Sequence, residues 1–545
     1  MSDRGKWCRA AALAAALMLV GGACSSDSDA AGGGAETTAG GETSTESTST
    51  TAPAGSELFG AGGALELLPL QTSGTRIVDT SGRDVLLRGA NVNSLGEYWQ
   101  GLPEVPATIP MTDEDWDLMA SHGFSVIRLL ITWSRVEPER GQIDQAYLDE
   151  IEEMVEAAAA HGIYSVIDMH QDAYSAFIYT SDANECMRGT SPAKGWDGAP
   201  EWATLTDGLS TCLERGDRNS SQAVEAAWNH FYGNTDGIRD HFVAAWASVA
   251  ERFAGRPEVA GFDLLNEPEN PMPAGELQPI YEAFMAETIE AIRAAQTEAG
   301  APFEHILFVE PALPAADLSR GLVPPTAAAF GGRTENVGIS IHNYMESINH
   351  IIPLESLNDS TASLSEAIGV PNWGGEYGFW NTEPDTLAVA IRYALDEDAN
   401  RWGGAWWQWR QSCGDPHSVQ WENGVVVNGD DRQIHLNILG CPGNTDLGPN
   451  DDFLRIVGRG FARATPGVLD ALTSDVETGA LSVSGTATAA GGTLVVWSPT
   501  PSDDAATVTV EGLAEVEEHE VVGGRYLTAT VSAAGPYRLQ IAAVG

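Results

Sequence analysis

Between residues 76 and 466 the chain alternates short, almost wholly apolar runs with longer stretches whose apolar residues recur every three or four positions. The first pattern predicts strands buried on both faces and the second predicts amphipathic helices. Eight strand candidates stand out, at 85–91, 124–130, 164–170, 260–266, 305–310, 337–343, 371–376 and 403–409, and each reaches a polar or aromatic residue at its C-terminal end. Helices are predicted between them. In the stretch 144–161, Asp144 is placed to cap the start and His161-Gly162 to end it. The stretches 240–253, 277–298 and 386–395 are the other strong helical patterns. Eight such alternations are expected to close as a (β/α)8 TIM barrel, an α/β fold whose strand ends carry the chemistry.

Two connections are too long for ordinary turns, at 171–237 after the third strand and 410–451 after the eighth. Loops of that length in a compact domain tend to be functional. After residue 466 the texture changes to short β-type runs at 481–483, 493–496, 507–510, 518–522 and 526–531, separated by Gly and Pro. These predict a small C-terminal β-sandwich, serving as a buttress or as a binding module.

The first 24 residues carry Arg4, Lys6 and Arg9 and then an apolar run at 10–20, the pattern of an export signal and too short to span a bilayer comfortably. Gly21-Gly22-Ala23-Cys24 resembles a bacterial lipobox, in which Cys24 is lipidated after cleavage; simple secretion stays open beside it. Residues 25–58 are Ser-, Thr- and Gly-rich with almost nothing to bury, and are expected to form a disordered tether. The expected organisation is therefore signal 1–24, linker 25–58, catalytic barrel 59–466 and β-sandwich 467–545, in a secreted or cell-surface, membrane-anchored monomer.

A formal charge of -49, from 28 Lys+Arg against 77 Asp+Glu, argues against nucleic-acid partners, whose phosphates need a basic footprint. Four of six cysteines lie beyond residue 24, and export favours their pairing. Four cysteines allow three connectivities. Cys186–Cys212 and Cys413–Cys441 are preferred, because each pair brackets one of the long loops. No CxxC, HExxH or histidine cluster accompanies them, so neither metal nor cofactor is assigned.

Chemistry concentrates at two strand ends. In Gly261-Phe262-Asp263-Leu264-Leu265-Asn266-Glu267-Pro268 a strand delivers Glu267 on rigid backbone. In Trp373-Gly374-Gly375-Glu376-Tyr377-Gly378 a second carboxylate ends an apolar strand between glycines. Three strands apart in a closed barrel, the two can face each other, and a retaining glycosidase needs two carboxyls about 5–5.5 Å apart.

Asn266-Glu267-Pro268, Glu376 and the opening Val78-Asp79 with Leu87-Arg88-Gly89-Ala90-Asn91 resemble glycoside hydrolase family 5 over roughly residues 74–460. The resemblance implies Glu267 as acid/base and Glu376 as nucleophile. It also implies substrate or supporting roles at other strand ends. Arg128 would hold Glu376 ionised, Asn266 would bond the sugar 2-hydroxyl, and His170 would reach the sugar. His342 and Tyr344 would supply donors beside the carboxyls, with Trp407, or Trp409 on the same alternation, as the sugar floor.

Asp168-Met169-His170-Gln171-Asp172-Ala173-Tyr174-Ser175 is similar to a stretch of the endoglycoceramidases and endo-galactosylceramidases within that family. That likeness implies cleavage between an intact glycan and ceramide, with Gln171 and Asp172 reading the reducing-end sugar. Phe177-Ile178-Tyr179, Trp196, Trp202 and Phe231-Tyr232 are candidates to line a ceramide channel. A retaining β-glucanase or β-glucosidase acting on soluble glycans stays open, as does a non-catalytic carbohydrate-binding surface protein.

Overall fold

The computed structural model describes residues 65–543 apart from 315, 348–351, 381, 428–432 and 500–506. The export signal, Cys24 and the 25–58 linker therefore lie outside the described residues.

Eight parallel strands close into a barrel in the order Gly89–Val92, Val126–Thr132, Tyr164–His170, Val259–Asp263, Ile306–Val309, Val337–Asn343, Asn372–Gly378 and Gly404–Trp407. All eight apolar runs become barrel strands, because a strand covered on both faces is mostly apolar, and the polar residues it does carry, such as Arg128 and Asp263, are buried in partnership. Helices pack outside them. In Gln145–Ala160 the Asp144 carboxylate accepts from the N–H groups of Ala146 and Tyr147, and Tyr147, Leu148, Ile151, Val155 and Ala158 are buried. That spacing is one helical face turned to the barrel.

The first run divides in two. Arg83–Val85 leaves the barrel, and only Gly89–Val92 enters it. Arg83–Val85 instead joins Leu70–Ser73 and Arg76–Asp79 in a seven-stranded antiparallel sheet, continued by Phe461–Pro466, Thr493–Ser498, Gly524–Val531 and Leu513–Val521. A four-stranded sheet of Val468–Ser474, Leu481–Ala487, Gly535–Ile541 and Val508–Glu511 completes the sandwich. The sandwich thus draws strands from both sides of the barrel sequence, including residues 70–85 and 461–466 that the sequence reading places in the catalytic unit. The physical reason is pairing: Val85 sits opposite Ala464, and Phe461 opposite Trp497, so these strands satisfy their backbone groups in the sandwich.

The two layers are tightly joined. Trp497 packs so closely on Gly123 (φ +69°) that a Cβ there would fall 2.3 Å from the indole. Buried Arg459 pairs with Glu397 at 2.6 Å and Asp398 at 2.8 Å, and Arg88 reaches Asp398 at 2.8 Å. Both long loops carry the expected disulfides, Cys186–Cys212 and Cys413–Cys441.

Candidate active site

The C-terminal strand ends bring Glu267, His342 and Glu376 together, with one side-chain ligand atom of each inside a mutual distance of 4.8 Å. That places the two carboxylates at the short spacing of a double-displacement site rather than the wider one that leaves room for water between them.

Glu376 is buried and held from two sides. Arg128 Nη1 donates to its Oε1 at 2.8 Å, and the Tyr344 hydroxyl donates to its Oε2 at 2.7 Å. Burial and the Glu376 charge push the Tyr344 phenol well above its usual range, so it remains a donor. Arg128 spends its other donors on Asp263 (2.9 Å), Asn91 (3.2 Å), Asn266 and Glu310 (3.0 Å each), and lies 3.0 Å from Asp168. One buried cation therefore balances a ring of interior carboxylates, which outweigh the burial that works against its charge.

Glu267 adopts φ +36°, a left-handed conformation that costs a non-glycine residue about 1 kcal/mol or more. Its backbone is clamped. The Glu267 N–H donates to Glu310 Oε2 at 2.9 Å, and Gln171 Nε2 donates to the carbonyls of Asn266 and Glu267 at 2.8 and 2.9 Å. Gln171 therefore supports the acid/base turn, where the sequence reading has it touching sugar. Its carboxamide is committed to backbone.

The Glu267 carboxyl is held by His342 Nδ1 at 3.0 Å and by Arg218 Nη2 at 2.9 Å. Burial works to raise it, but the His342 hydrogen bond and the His342 and Arg218 charges hold it below the usual glutamate value. Burial opposes a charge on His342, and Glu310, Glu376 and Glu267 overcome it, so His342 stays an imidazolium well above ordinary histidine range. His342 Nε2 is 3.2 Å from Glu310 Oε1, near enough for an ion pair but poorly angled for a hydrogen bond. Burial pushes the Glu310 carboxyl up to about 7.

A second cluster lies beside this pair. His170 stacks on Trp407 with ring centres 5.4 Å apart, and its Nδ1 is bound to Asp168 at 2.7 Å. Burial opposes its charge, but Asp197 and Asp168 raise it to about 9. Asp172 is ion-paired to Arg218 at 2.5 Å and to His417 at 3.3 Å. Although burial works against its charge, these cations bring Asp172 down to about 2. Asp197 is buried with neither oxygen hydrogen-bonded, as is His170 Nε2, and burial pushes Asp197 up to about 8.

Among the described residues three groups have the spacing of a cation site: His170-Asp172-Asp197, Asp263-Glu310-His342 and Glu267-His342-Glu376. In the last two, His342 and Arg128 already supply the balancing positive charge.

Nine sequence-derived site residues reach this region: Arg128, His170, Asp172, Asn266, Glu267, His342, Tyr344, Glu376 and Trp407. Trp409 does not. The strand ends at Trp407, and Trp409 packs in the core on Phe124 while donating to Asp115 at 2.9 Å. The proposed channel aromatics divide. Ile178, Phe231 and Tyr232 are buried core residues, and Trp202 packs edge-on against Trp133. Phe177 and Tyr179 are exposed, and Trp196 is packed against His417. Sequence reasoning missed Arg218, His417, Asp197 and Glu310. Only Glu310, at a strand's polar end, had the signal that marked the others.

The sequence model described as Cellulase (glycosyl hydrolase family 5) matches residues 78–412, well over half of the chain. The chain belongs to glycosyl hydrolase family 5.

Within the family, it is similar to endoglycoceramidase I of Rhodococcus hoagii (strain 103S), 33% identical over 246 residues. That alignment spans 42% of this chain and 45% of the relative, so less than half of the curated protein is matched. A crystal structure of an endogalactoceramidase superimposes with a TM-score of 0.76 at 32% identity, covering 87% of this chain and all of that one (100%). Endo-glycoceramidase II from Rhodococcus sp., solved as a ganglioside GM3 complex, shares the fold, with a TM-score of 0.62 at 22% identity over 87% of this chain and 100% of that one.

Proposed function

We propose that this family 5 glycosidase hydrolyses the β-glycosidic bond between glycan and ceramide by double displacement. The observation that carries the mechanism is the Glu267–Glu376 pair, close together on a barrel face and differently held. Glu376, ion-paired to Arg128 and hydrogen-bonded by Tyr344, attacks the anomeric carbon. Glu267 gives its proton to the departing glycosidic oxygen. In the second half-reaction Glu267 takes a proton from water as the hydroxyl joins the anomeric carbon and the Glu376 ester breaks. Loss of the Glu376 charge in the intermediate lowers the proton affinity of Glu267, which suits it to act as base.

The glycone side is assigned to Trp407 as a stacking face, with His170 and Asp197 beside it carrying buried polar atoms that make no hydrogen bond. The glycolipid reading is supported by the likeness to an endoglycoceramidase and an endogalactoceramidase. It is also supported by exposed apolar side chains on the two long loops: Phe177 (39% exposed), Tyr179, Met187 and Leu209 on one, Val425 and Leu447 on the other. Water-facing apolar groups on these loops suit an amphiphilic substrate.

The deciding experiment incubates the protein with glycosylceramides in detergent, with soluble β-glucans and with aryl β-glycosides. Free ceramide released with an intact glycan supports the reading. Hydrolysis of soluble glucans alone moves the protein to polysaccharide degradation.

Export and anchoring through Cys24 belong to the same proposal, resting on the basic, apolar and cysteine order of residues 4–24. Fatty-acid labelling that is lost in Cys24→Ala supports it. Unlabelled protein released to the medium would point to simple secretion.

A further inference from the structure

Glu267 must carry a proton in one half of the proposed cycle and shed it in the other, yet the free enzyme binds its carboxyl to two cations. His342 comes from a barrel strand and is locked among Glu310, Glu376 and Glu267. Arg218 is different. It belongs to the long loop after the third strand, on a turn closed by the Glu214 N–H to the Ser220 carbonyl (3.3 Å) and the Ser220 N–H to the Asp217 carbonyl (3.0 Å). The turn follows directly on Cys212, whose disulfide to Cys186 ties the loop together, and on a short antiparallel bridge between Leu213 and Ser191. Arg215 anchors the same turn to the Ala316 carbonyl.

From this arm the Arg218 guanidinium lies over the Trp196 ring at 5.0 Å. It divides itself between Asp172 Oδ1 at 2.5 Å and Glu267 Oε2 at 2.9 Å, with both contacts made by the same nitrogen. The Arg218 side chain is still 20% solvent-exposed. Asp172 retains His417 as a second partner, so it is a stable resting place for the cation.

We propose that Arg218 is a positioning residue for the acid/base glutamate, a movable counter-charge shared between Glu267 and Asp172. When the glycosidic oxygen takes its place at Glu267 Oε2, Arg218 withdraws onto Asp172 and the carboxyl keeps its proton. That proton passes to the glycosidic oxygen as the anomeric carbon–oxygen bond breaks and the Glu376 bond forms. With the leaving group gone, Arg218 returns and favours the ionised Glu267 that accepts a proton from the attacking water. The proton gained there serves the next first step, so the cycle balances.

The groups that bear on Glu267 are His342 and Arg218 as cations and Asp172, Glu376 and Asp217 as like charges, with Glu310 on its backbone N–H. Asp172, Glu267, Asp217 and Glu376 bear on Arg218. Replacing Arg218 by a neutral side chain removes a cation from Glu267 and must raise its proton affinity.

The inference rests on the acid/base role of Glu267, and the test separates the two. Wild type, Arg218→Gln and Arg218→Lys are assayed across pH on a glycosylceramide and on a dinitrophenyl glycoside, whose leaving group needs no proton. Arg218→Gln should move upward by about one pH unit both the alkaline limb of kcat/KM for the glycosylceramide, which needs Glu267 protonated, and the acid limb of kcat for the dinitrophenyl substrate, which needs Glu267 ionised to take a proton from water. Arg218→Lys should restore most of both. A Cys186→Ser/Cys212→Ser double variant that still melts cooperatively should shift in the same direction as Arg218→Gln. An unmoved alkaline limb with equal losses on both substrates would overturn the inference and leave the acid/base role of Glu267 intact. Inability of the wild type to cleave either substrate would instead remove the glycosidase reading itself.

Discussion

Arg128 Nη1 lies 2.8 Å from Glu376 Oε1, and the arginine that makes this contact has no solvent-accessible side chain. A guanidinium is moved from water into a protein only at a cost of several kcal/mol, so its partners must repay it. Asp168, Asp263, Glu310 and Glu376 do so together. Arg128 is thus at once a structural keystone and the cation paired with the nucleophile. Arg128→Met should lower stability by about 3–5 kcal/mol, the effect of leaving buried charges unpaired. Chemical denaturation with a matched circular-dichroism melt measures this, and a loss within about 0.5 kcal/mol of zero would contradict the account.

Glu376→Ala should reduce turnover of every substrate by at least about 10⁴-fold, because the carboxylate that attacks the anomeric carbon is gone. Added azide should restore turnover with inversion, giving an α-glycosyl azide. Nuclear magnetic resonance of the product checks it, and a β-azide would assign Glu376 the other role.

Glu267→Ala should behave differently. Cleavage of glycosides with alkyl leaving groups should fall about 10²–10⁴-fold, the range of general-acid assistance. The first step on a dinitrophenyl glycoside should be nearly unchanged and should appear as a burst before slow steady turnover. Stopped-flow absorbance measures both, and the absence of a burst with equal losses on the two substrates argues against the assignment.

His305 should contribute a loss of stability on mild acidification, opposite in sign to the gain from the raised carboxyls of Asp197 and Glu310 and read as the difference between wild type and His305→Gln. Burial lowers its pKa from 6.5 to about 4, and the Arg256 carbonyl and Gln296 hold the neutral ring at 3.0 and 2.6 Å. A neutral folded histidine that protonates on unfolding makes the unfolded state bind more protons in that window. Stability is therefore complete above about pH 6.5 and declines toward pH 4, by about 3 kcal/mol from this one residue. Urea titrations of wild type and His305→Gln at several pH values read this, and the wild type should lose stability relative to the variant as pH falls from about 6.5 to about 4.

The barrel was legible because its strands are covered on both faces and so appear as uninterrupted apolar runs. Glu267 and Glu376 were legible because each ends such a run beside Pro or Gly. Phe461–Pro466 was not. Arg463 interrupts its apolar pattern, and that arginine is buried only because it finds the Phe124 carbonyl and the Tyr526 hydroxyl, residues far away in sequence. Arg218 and His417 were not legible either, since they sit on irregular loops with no period to mark an inward-facing position. Tertiary contact decides their role. The Trp406–Trp409 segment fell between these cases: alternation placed Trp407 correctly and failed at Trp409, where the strand had already ended.

The seven-stranded sheet carries a consequence for biosynthesis. Its first three strands lie between residues 70 and 85, but their neighbour in the sheet is Phe461–Pro466, and beyond that come strands as late as Gly524–Val531. During translation the opening strands leave the ribosome nearly four hundred residues before the strand they must pair with. They wait with an unsatisfied edge until the last part of the chain arrives. The sandwich is therefore not a detachable cassette that could be trimmed away or exchanged between enzymes. It is the closing stitch of the whole polypeptide, and a premature stop anywhere before it leaves the strands at 70–85 without their partner Phe461–Pro466.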